Sequence, residues 1–328
     1  MHMKCIIHLM TVAVVVGYGS ALKPTVRPPA VPPALPSVRK KLPLLMLTSD
    51  QLAEFESTGF LVLPKVVPDR DVRRLRRNLY STARGACAEC HADHESVKPP
   101  ADAAAFQYEK DVHGNVKGPL RVHKIQGVAL VCDDVKALLQ MNHLSGAARE
   151  LAKSQQIDAF GTKYFPVAAG SVGSVGWHDD NYYFGTSRSR TISCVVYLRD
   201  THRLNGCLRV VPGSHLSKRV GPERGDMYIN MPERIGEYIP EEVLLASVST
   251  PPLDVGVPAG SAVLFDANLL HAAWPNAGGS SLSERVAFHY IPLEVESEFR
   301  GVSFARGAFA DRHEATLPSP PAKRAKLV

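Results

Sequence analysis

The sequence predicts a mainly β domain with helices gathered toward its N-terminal side, an α+β architecture whose closest fit is a jelly roll. Three observations predict it. From residue 158 onward, short apolar runs are separated by Gly, Pro and Asn turns, the pattern of a sandwich or barrel. Helix-period segments fall before that point. The 328 residues suit one large β domain or two ordinary ones, and no internal linker or repeat divides them.

Taken in order, residues 1–21 read as a secretory signal peptide: Lys4 gives a positive start, Ile6 through Val16 is mostly apolar, and Gly19-Ser20-Ala21 offers small residues for cleavage. The apolar run is shorter than a membrane span needs. Residues 22–46 contain seven prolines, five basic residues and no acidic ones, so they pack no core and read as a linker or a transit-like segment. The two segments together read as entry to the secretory pathway, with a plastid address as an extension and cytoplasmic residence as the alternative. A single folded domain is expected over 47–311, followed by a basic, disordered tail over 312–328 whose last residues resemble a short nuclear import signal.

Within the domain, Thr48 stands three residues before Gln51 as a capping box does, so a helix starts there and runs to about Ser57. Gly59 stops it before the strand Phe60-Leu61-Val62-Leu63. A second helix runs from Asp69 to about Ala83, with Val72, Leu75 and Leu79 on one face and a solvated row of arginines on the other. Cys87-x-x-Cys90-His91 follows, a pattern that serves c-type haem attachment, an ancillary metal site with His94, or an incidental loop. A helical stretch around 134–154 carries Val135, Leu138, Leu139 and Leu144. Strands are expected at 159–165, 175–178, 191–198, 207–211, 253–256, 261–265 and 285–291. Between two of them, 216–250 form a long polar insertion containing Tyr228, Met231 and Tyr238.

The isoelectric point near 9.0 is a property of the ends. Residues 1–46 carry +6 and residues 312–328 carry +3 of a chain total of +6, which leaves the interior at −3. A nucleic-acid surface needs its positive charge on the folded domain, so that class is excluded. Six cysteines, one of them in the leader, show no disulfide framework, and Cys194 and Cys207 sit in apolar runs as small hydrophobes. The chain holds no N-x-S/T acceptor.

One segment carries chemistry: Trp177-His178-Asp179-Asp180-Asn181-Tyr182-Tyr183, followed 93 residues after His178 by His271 and then by Arg285. If 176–180 are extended, His178 and Asp180 project to one face and Asp179 to the other. A third imidazole from a distant strand then completes a two-His, one-carboxylate face with about three positions open. His271 lies beyond the apolar run Ser261–Phe265, and His215, after a Pro-Gly-Ser turn, is the alternative. Arg285 opens the run Val286–Ile291, where a guanidinium can grip a carboxylate through two parallel hydrogen bonds. The tripeptide by itself equally suits a hydrogen-bonded pair in an ordinary core.

The surroundings weigh on that choice. Leu47-Thr48-Ser49-Asp50-Gln51 with Gly59–Leu63, the W-H-x-D segment, Gly206 through His215, and Leu270-His271 through Pro275-Asn276 to Arg285 together resemble the phytanoyl-CoA dioxygenases and the related ectoine hydroxylases. The resemblance covers roughly residues 47–295 and implies a double-stranded β-helix, with the N-terminal helices buttressing its outside. It implies iron(II) at His178, Asp180 and His271, and Arg285 on the distal carboxylate of 2-oxoglutarate. Lys163, fifteen residues before His178, matches a lysine that also reaches the cosubstrate, and Ser193 matches a cosubstrate hydroxyl contact. The spacing from His271 to Arg285 is longer than the family's, by a turn-like Gly278-Gly279-Ser280-Ser281 segment that a loop absorbs.

The activity so implied is hydroxylation of a small molecule or acyl derivative with O2, releasing succinate and CO2, with ascorbate as a support. Desaturation or cyclisation at the same iron, or a silent jelly-roll binding protein, are the alternatives. Tyr182, Tyr183 and His289 are expected to line the pocket, and the 216–250 insertion to help cover it.

Overall fold

The computed structural model describes residues 14–15, 47–89, 105–108, 122–170, 175–186, 190–216, 238–277 and 282–295. In chain order the elements are β1 (Val14–Val15), α1 (Ser49–Thr58), β2 (Phe60–Leu63), α2 (Asp69–Glu89), β3 (Ala105–Tyr108), β4 (Val122–Gln126), α3 (Asp133–Leu139), α4 (Asn142–Ala152), β5 (Ile157–Val167), β6 (Val175–His178), α5 (Asn181–Phe184), β7 (Ile192–Tyr197), β8 (Leu208–Val210), α6 (Glu241–Ser247), β9 (Leu253–Val255), β10 (Ala262–Asp266), β11 (His271–Ala273) and β12 (Ser283–Pro292). A major sheet has the order β1-β3-β4-β5-β12-β7-β10-β2 and a minor sheet the order β6-β11-β8-β9. Their pairings are antiparallel, and β12 lies between β5 and β7 while β10 lies between β7 and β2. Strands distant in sequence are thus neighbours in space, as in a jelly roll, and the chain folds as a double-stranded β-helix.

Strand alternation divides the interior into two layers. On β7 and β12, Cys194, Val196, Val286, Phe288 and Tyr290 join Leu75, Leu79, Leu138, Leu144 and Leu151 of the helices in one cluster. The intervening Val195 and Tyr197 face the other way, meeting Leu208, Val210 and Val255 of the minor sheet. Period-2 side-chain placement on a two-faced sheet produces this split. The helices bury the outer face, and the space between the sheets remains for a site.

Local rules account for the first helix. The hydroxyl of Thr48 accepts the Gln51 N–H at 3.2 Å while the Gln51 side chain accepts the Thr48 N–H at 2.9 Å, and Gly59 ends the helix at φ 84°. The second helix runs six residues past Ala83, to Glu89. Its arginine row is not wholly solvated: Arg76 Nε donates to Glu284 of β12 at 2.9 Å. Cys87 falls in its last turn, whereas Cys90, His91 and His94 lie outside the described residues.

The expected helix over 134–154 is two helices, α3 and α4. No Gly or Pro marks the break. The carbonyl of Leu139, at the end of α3, accepts the hydroxyl of Tyr290 at 2.8 Å, so the long-range contact of a β12 side chain satisfies that terminus. Strands β3 and β4 were not expected. Of the insertion over 216–250, residues 238–250 fold: Ile239 bridges to Trp177 of β6 and α6 follows, while 217–237 lie outside the described residues. The leader beyond Val14–Val15, the proline-rich segment, 278–281 and the basic tail also lie outside them. Among the described residues, no helix is long and apolar enough to cross a membrane.

Candidate active site

His178 ends β6 and His271 begins β11, and the two residues are paired across the minor sheet. Their rings stand 4.2 Å apart between centroids. His178 Nδ1 lies 2.8 Å from the carbonyl oxygen of Gly176, and His271 Nδ1 lies 2.9 Å from that of Leu269. A carbonyl only accepts, so each Nδ1 holds the proton and each Nε2 presents a lone pair. Those lone pairs face Asp180, at 3.8 Å to Oδ1 from His178 and 3.8 Å to Oδ2 from His271. One donor atom from each of His178, Asp180 and His271 lies within 4.8 Å of the others, and all three residues are buried.

The route by which Asp180 arrives differs from the expectation. Strand β6 ends at His178, and Asp180 adopts φ −66°, ψ −30°, a helical conformation that caps α5. A turn, and not alternation along an extended strand, brings its carboxylate back beside His178. Asp179 is fully buried, and its Oδ1 accepts the N–H of Tyr182 at 2.9 Å, holding the turn closed.

A buried row continues from Asp180 into the major sheet. Ser193 Oγ donates to Asp180 Oδ2 at 2.5 Å, His289 Nδ1 is 2.9 Å from the same hydroxyl, and Lys163 Nζ is 3.5 Å from His289 Nε2. An ammonium only donates and a carboxylate only accepts, which fixes the direction: Lys163 to His289, His289 to Ser193, Ser193 to Asp180. Ser193, expected at the cosubstrate, thus commits its proton to Asp180. Burial, with His271 adding to it, pushes the His178 imidazole down to about 3, and burial pushes that of His289 to about 3. Burial alone would raise Asp180, but His289, His271, Lys163 and His178 more than reverse this and hold its carboxyl well below the usual range. Lys163 is shifted downward by burial, against the pull of Asp180.

Arg285 stands farther along β12. It is 7% exposed, its Nη1 donates to the Gly206 carbonyl at 3.1 Å, and its guanidinium lies 5.1 Å from the Phe165 ring centroid. Among the described residues no carboxylate pairs with it. Burial lowers its pKa. Gly206, at φ 89°, permits the approach; a Cβ there would sit 3.2 Å from Nη1. Cross-strand register orders the wall: His289 pairs with Ser193, Ala287 with Val195 and Lys163, and Arg285 with Tyr197 and Phe165. Four residues at about 3.4 Å each separate Arg285 from His289 by about 14 Å. Midway, Ala287 and Lys163 are only half-buried although they lie in central strands, so they border the space between the sheets.

Two tyrosines meet His178 edge-on, Tyr183 at 5.9 Å and Tyr238 at 5.7 Å between ring centroids. Tyr182 packs on Tyr183 at 5.4 Å. The Ile239–Trp177 bridge delivers Tyr238, and Gly176 makes room for it, since a Cβ there would lie 2.8 Å from Tyr238 Cγ. Tyr238 had no local signal beyond being an aromatic in a polar stretch. His215 is elsewhere, with Nε2 3.2 Å from the Glu56 carbonyl beneath α1.

Comparison with known proteins agrees with this geometry. The profile of the phytanoyl-CoA dioxygenase (PhyH) family matches residues 55–283, stopping two residues short of Arg285. Phytanoyl-CoA dioxygenase of Arabidopsis thaliana is 24% identical over 291 residues, 84% of this chain and 96% of that protein. Ectoine dioxygenase of Nocardia farcinica is 26% identical over 237 residues, covering 70% and 72%. Among solved structures, the α-ketoglutarate-dependent carbocyclase SnoK from nogalamycin biosynthesis superposes with a TM-score of 0.60 at 17% identity, covering 78% of this chain and 87% of that one. EctD from S. alaskensis, solved with 2-oxoglutarate and 5-hydroxyectoine, gives 0.58 at 19% identity, covering 77% and 78%. The profile match spans more than half of the sequence and includes His178, Asp180 and His271, and the chain accordingly belongs to the phytanoyl-CoA dioxygenase family.

Proposed function

We propose that this protein is an iron(II)- and 2-oxoglutarate-dependent oxygenase that hydroxylates a small molecule or acyl derivative and releases succinate and CO2, with His178, Asp180 and His271 as the iron ligands. One observation carries the reading. Two imidazoles, each held at Nδ1 by a backbone carbonyl so that Nε2 turns inward, converge with a carboxylate in a buried space, and their ligand atoms lie within 4.8 Å of one another. Two neutral imidazoles and one carboxylate on one face suit a divalent iron that keeps open positions.

Iron bound there supplies the oxygen chemistry and the oxidative decarboxylation of 2-oxoglutarate. The protein does the rest. Gly176 and Leu269 carbonyls hold each imidazole in the tautomer that leaves Nε2 free. Ser193 occupies Oδ2 of Asp180 and leaves Oδ1 as the ligand oxygen. Arg285, on the same face of β12 as His289, would take the far carboxylate of 2-oxoglutarate through its guanidinium N–H groups. Ala287 and Val195, between them in the register, offer small apolar surface to its methylenes and keep water away.

The test uses the full chain with iron(II), ascorbate and 2-oxoglutarate, following succinate. His178→Ala and Asp180→Ala should each abolish turnover; full turnover in either would refute the site. Product mass then reads the reaction type, since hydroxylation adds one oxygen, desaturation or ring closure removes two hydrogens, and epimerisation leaves the mass unchanged.

A further inference from the structure

The polar row across the cavity face of the major sheet ends in an amide whose Nε2 has no partner among the described residues. Gln126 closes β4 directly opposite Lys163 of β5. Opposed residues of an antiparallel pair project from the same face. That face is the cavity: Lys163 reaches His289, while the adjacent opposed pair, Ile125 and Tyr164, is buried in the helix-side cluster. Gln126 is 6% exposed, and among the described residues its Nε2 has no hydrogen-bond partner. Leaving a buried amide donor unmade costs stability, so a fold that keeps one on a cavity wall invites a ligand to complete it. Lys163 beside it is an ammonium with three N–H donors, and His289 is its hydrogen-bond partner among the described residues.

We infer that Gln126 and Lys163 form a carboxylate-binding subsite, separate from Arg285, for an acid group on the molecule that is oxidised. This rests on the oxygenase reading of the site. An ammonium next to an amide donor offers one N–H to each oxygen of a carboxylate, with the ammonium balancing its charge. Position separates this subsite from the cosubstrate track. Ser193, His289 and Arg285 lie on β7 and β12, whereas Gln126 lies two strands from β12, about 10 Å away across the sheet. Lys163 stands opposite Ala287 of β12 and so borders that track, whereas Gln126 lies one strand farther out. The subsite therefore favours a substrate that carries a carboxylate; a carboxylate of 2-oxoglutarate is the other source of the same chemistry.

The experiment is calorimetry on the full chain loaded with manganese(II) and 2-oxoglutarate, titrated with straight-chain monocarboxylates from acetate to octanoate and with their methyl esters. At least one acid should bind, and its ester should not. Gln126→Leu should weaken that acid by about tenfold to a hundredfold, the range for one hydrogen bond to a charged group, with 2-oxoglutarate affinity changed less than about twofold. Gln126→Glu should abolish acid binding by like-charge repulsion. Gln126→Leu should also fold with an unchanged or higher Tm, because it removes an unmade donor; a marked fall in Tm would mark a packing role and overturn the inference. A tenfold loss of 2-oxoglutarate affinity in Gln126→Leu would assign the subsite to the cosubstrate and overturn the substrate assignment. If no acid binds wild type, or if acid binding is indifferent to Gln126, the subsite is wrong. Failure of wild type to bind 2-oxoglutarate with manganese would instead sink the oxygenase reading itself.

Discussion

Replacing Arg285 with methionine separates a functional guanidinium from a structural one. A buried charge taken out of water carries a penalty of several kcal/mol, and removing one partner of a compensated buried ion pair costs about 3–5 kcal/mol. Arg285 has no such partner among the described residues; it has one neutral carbonyl at 3.1 Å and an aromatic ring at 5.1 Å. Those contacts return about 1.5–3 kcal/mol and about 1–2 kcal/mol, close to the desolvation penalty. Arg285→Met is therefore expected to leave the ligand-free protein within about 1 kcal/mol of wild type, or more stable. Chemical denaturation monitored by circular dichroism reads this directly. In wild type with manganese(II), 2-oxoglutarate at a hundred times its Kd should add about 2.7 kcal/mol, and that increment should vanish in the variant. A variant that loses 3 kcal/mol or more without ligand, or that keeps the increment, would refute the assignment of Arg285 to an external carboxylate.

Three further predictions address the rest of the site. Ser193→Ala removes the donor to Asp180 Oδ2 and strands the His289 Nδ1 proton; metal affinity should fall about tenfold to a hundredfold, as read by chelator competition. His178 and His289 are held near 3, below the unfolded imidazole value of about 6.5. The native metal-free protein thus binds fewer protons than the unfolded chain, so stability is full above about pH 6.5 and is lost as pH falls toward 3. Two such groups give a slope of about 2.7 kcal/mol per pH unit within that window, and a flat denaturation series from pH 7 to 4.5 would contradict it. Gly176→Ala drives a Cβ to 2.8 Å from Tyr238 Cγ; overpacking should cost about 1–3 kcal/mol in thermal unfolding and displace Tyr238, changing substrate KM more than 2-oxoglutarate KM.

The donor set was legible because ligand chemistry restricts residue type. His178, Asp180 and His271 could be named from residue type, spacing and family likeness, and the fold brings the three together. What escaped was long-range. Asp180 was assigned to an extended strand, and only the αR turn, closed by Asp179 on the Tyr182 N–H, shows how it reaches His178. Ser193 could be named but not given its partner, since its hydrogen bonds cross from β7 to Asp180 and to β12. Gln126 lies on a strand whose sequence, Val122-His123-Lys124-Ile125-Gln126, carries weak alternation, and its meaning depends on pairing with β5. The helix break at Gln140-Met141 has the same origin, a tyrosine hydroxyl 151 residues away.

Glu284 and Arg285 are one peptide bond apart, yet their charges do not cancel. Glu284 faces the helices, where it accepts from Tyr164 at 2.9 Å, Arg76 at 2.9 Å and Arg199 at 2.5 Å, while Arg285 faces the cavity. The strand keeps the two side chains apart, Glu284 among the helix-side arginines and Arg285 toward the cavity. A slip of a single residue in β12 would exchange them, sending an anion into the chamber that must receive a diacid and a cation into a layer already holding two arginines. Neither compartment tolerates the swap, so the electrostatics of the reaction chamber and the fidelity of strand registration are enforced by the same pair of neighbours.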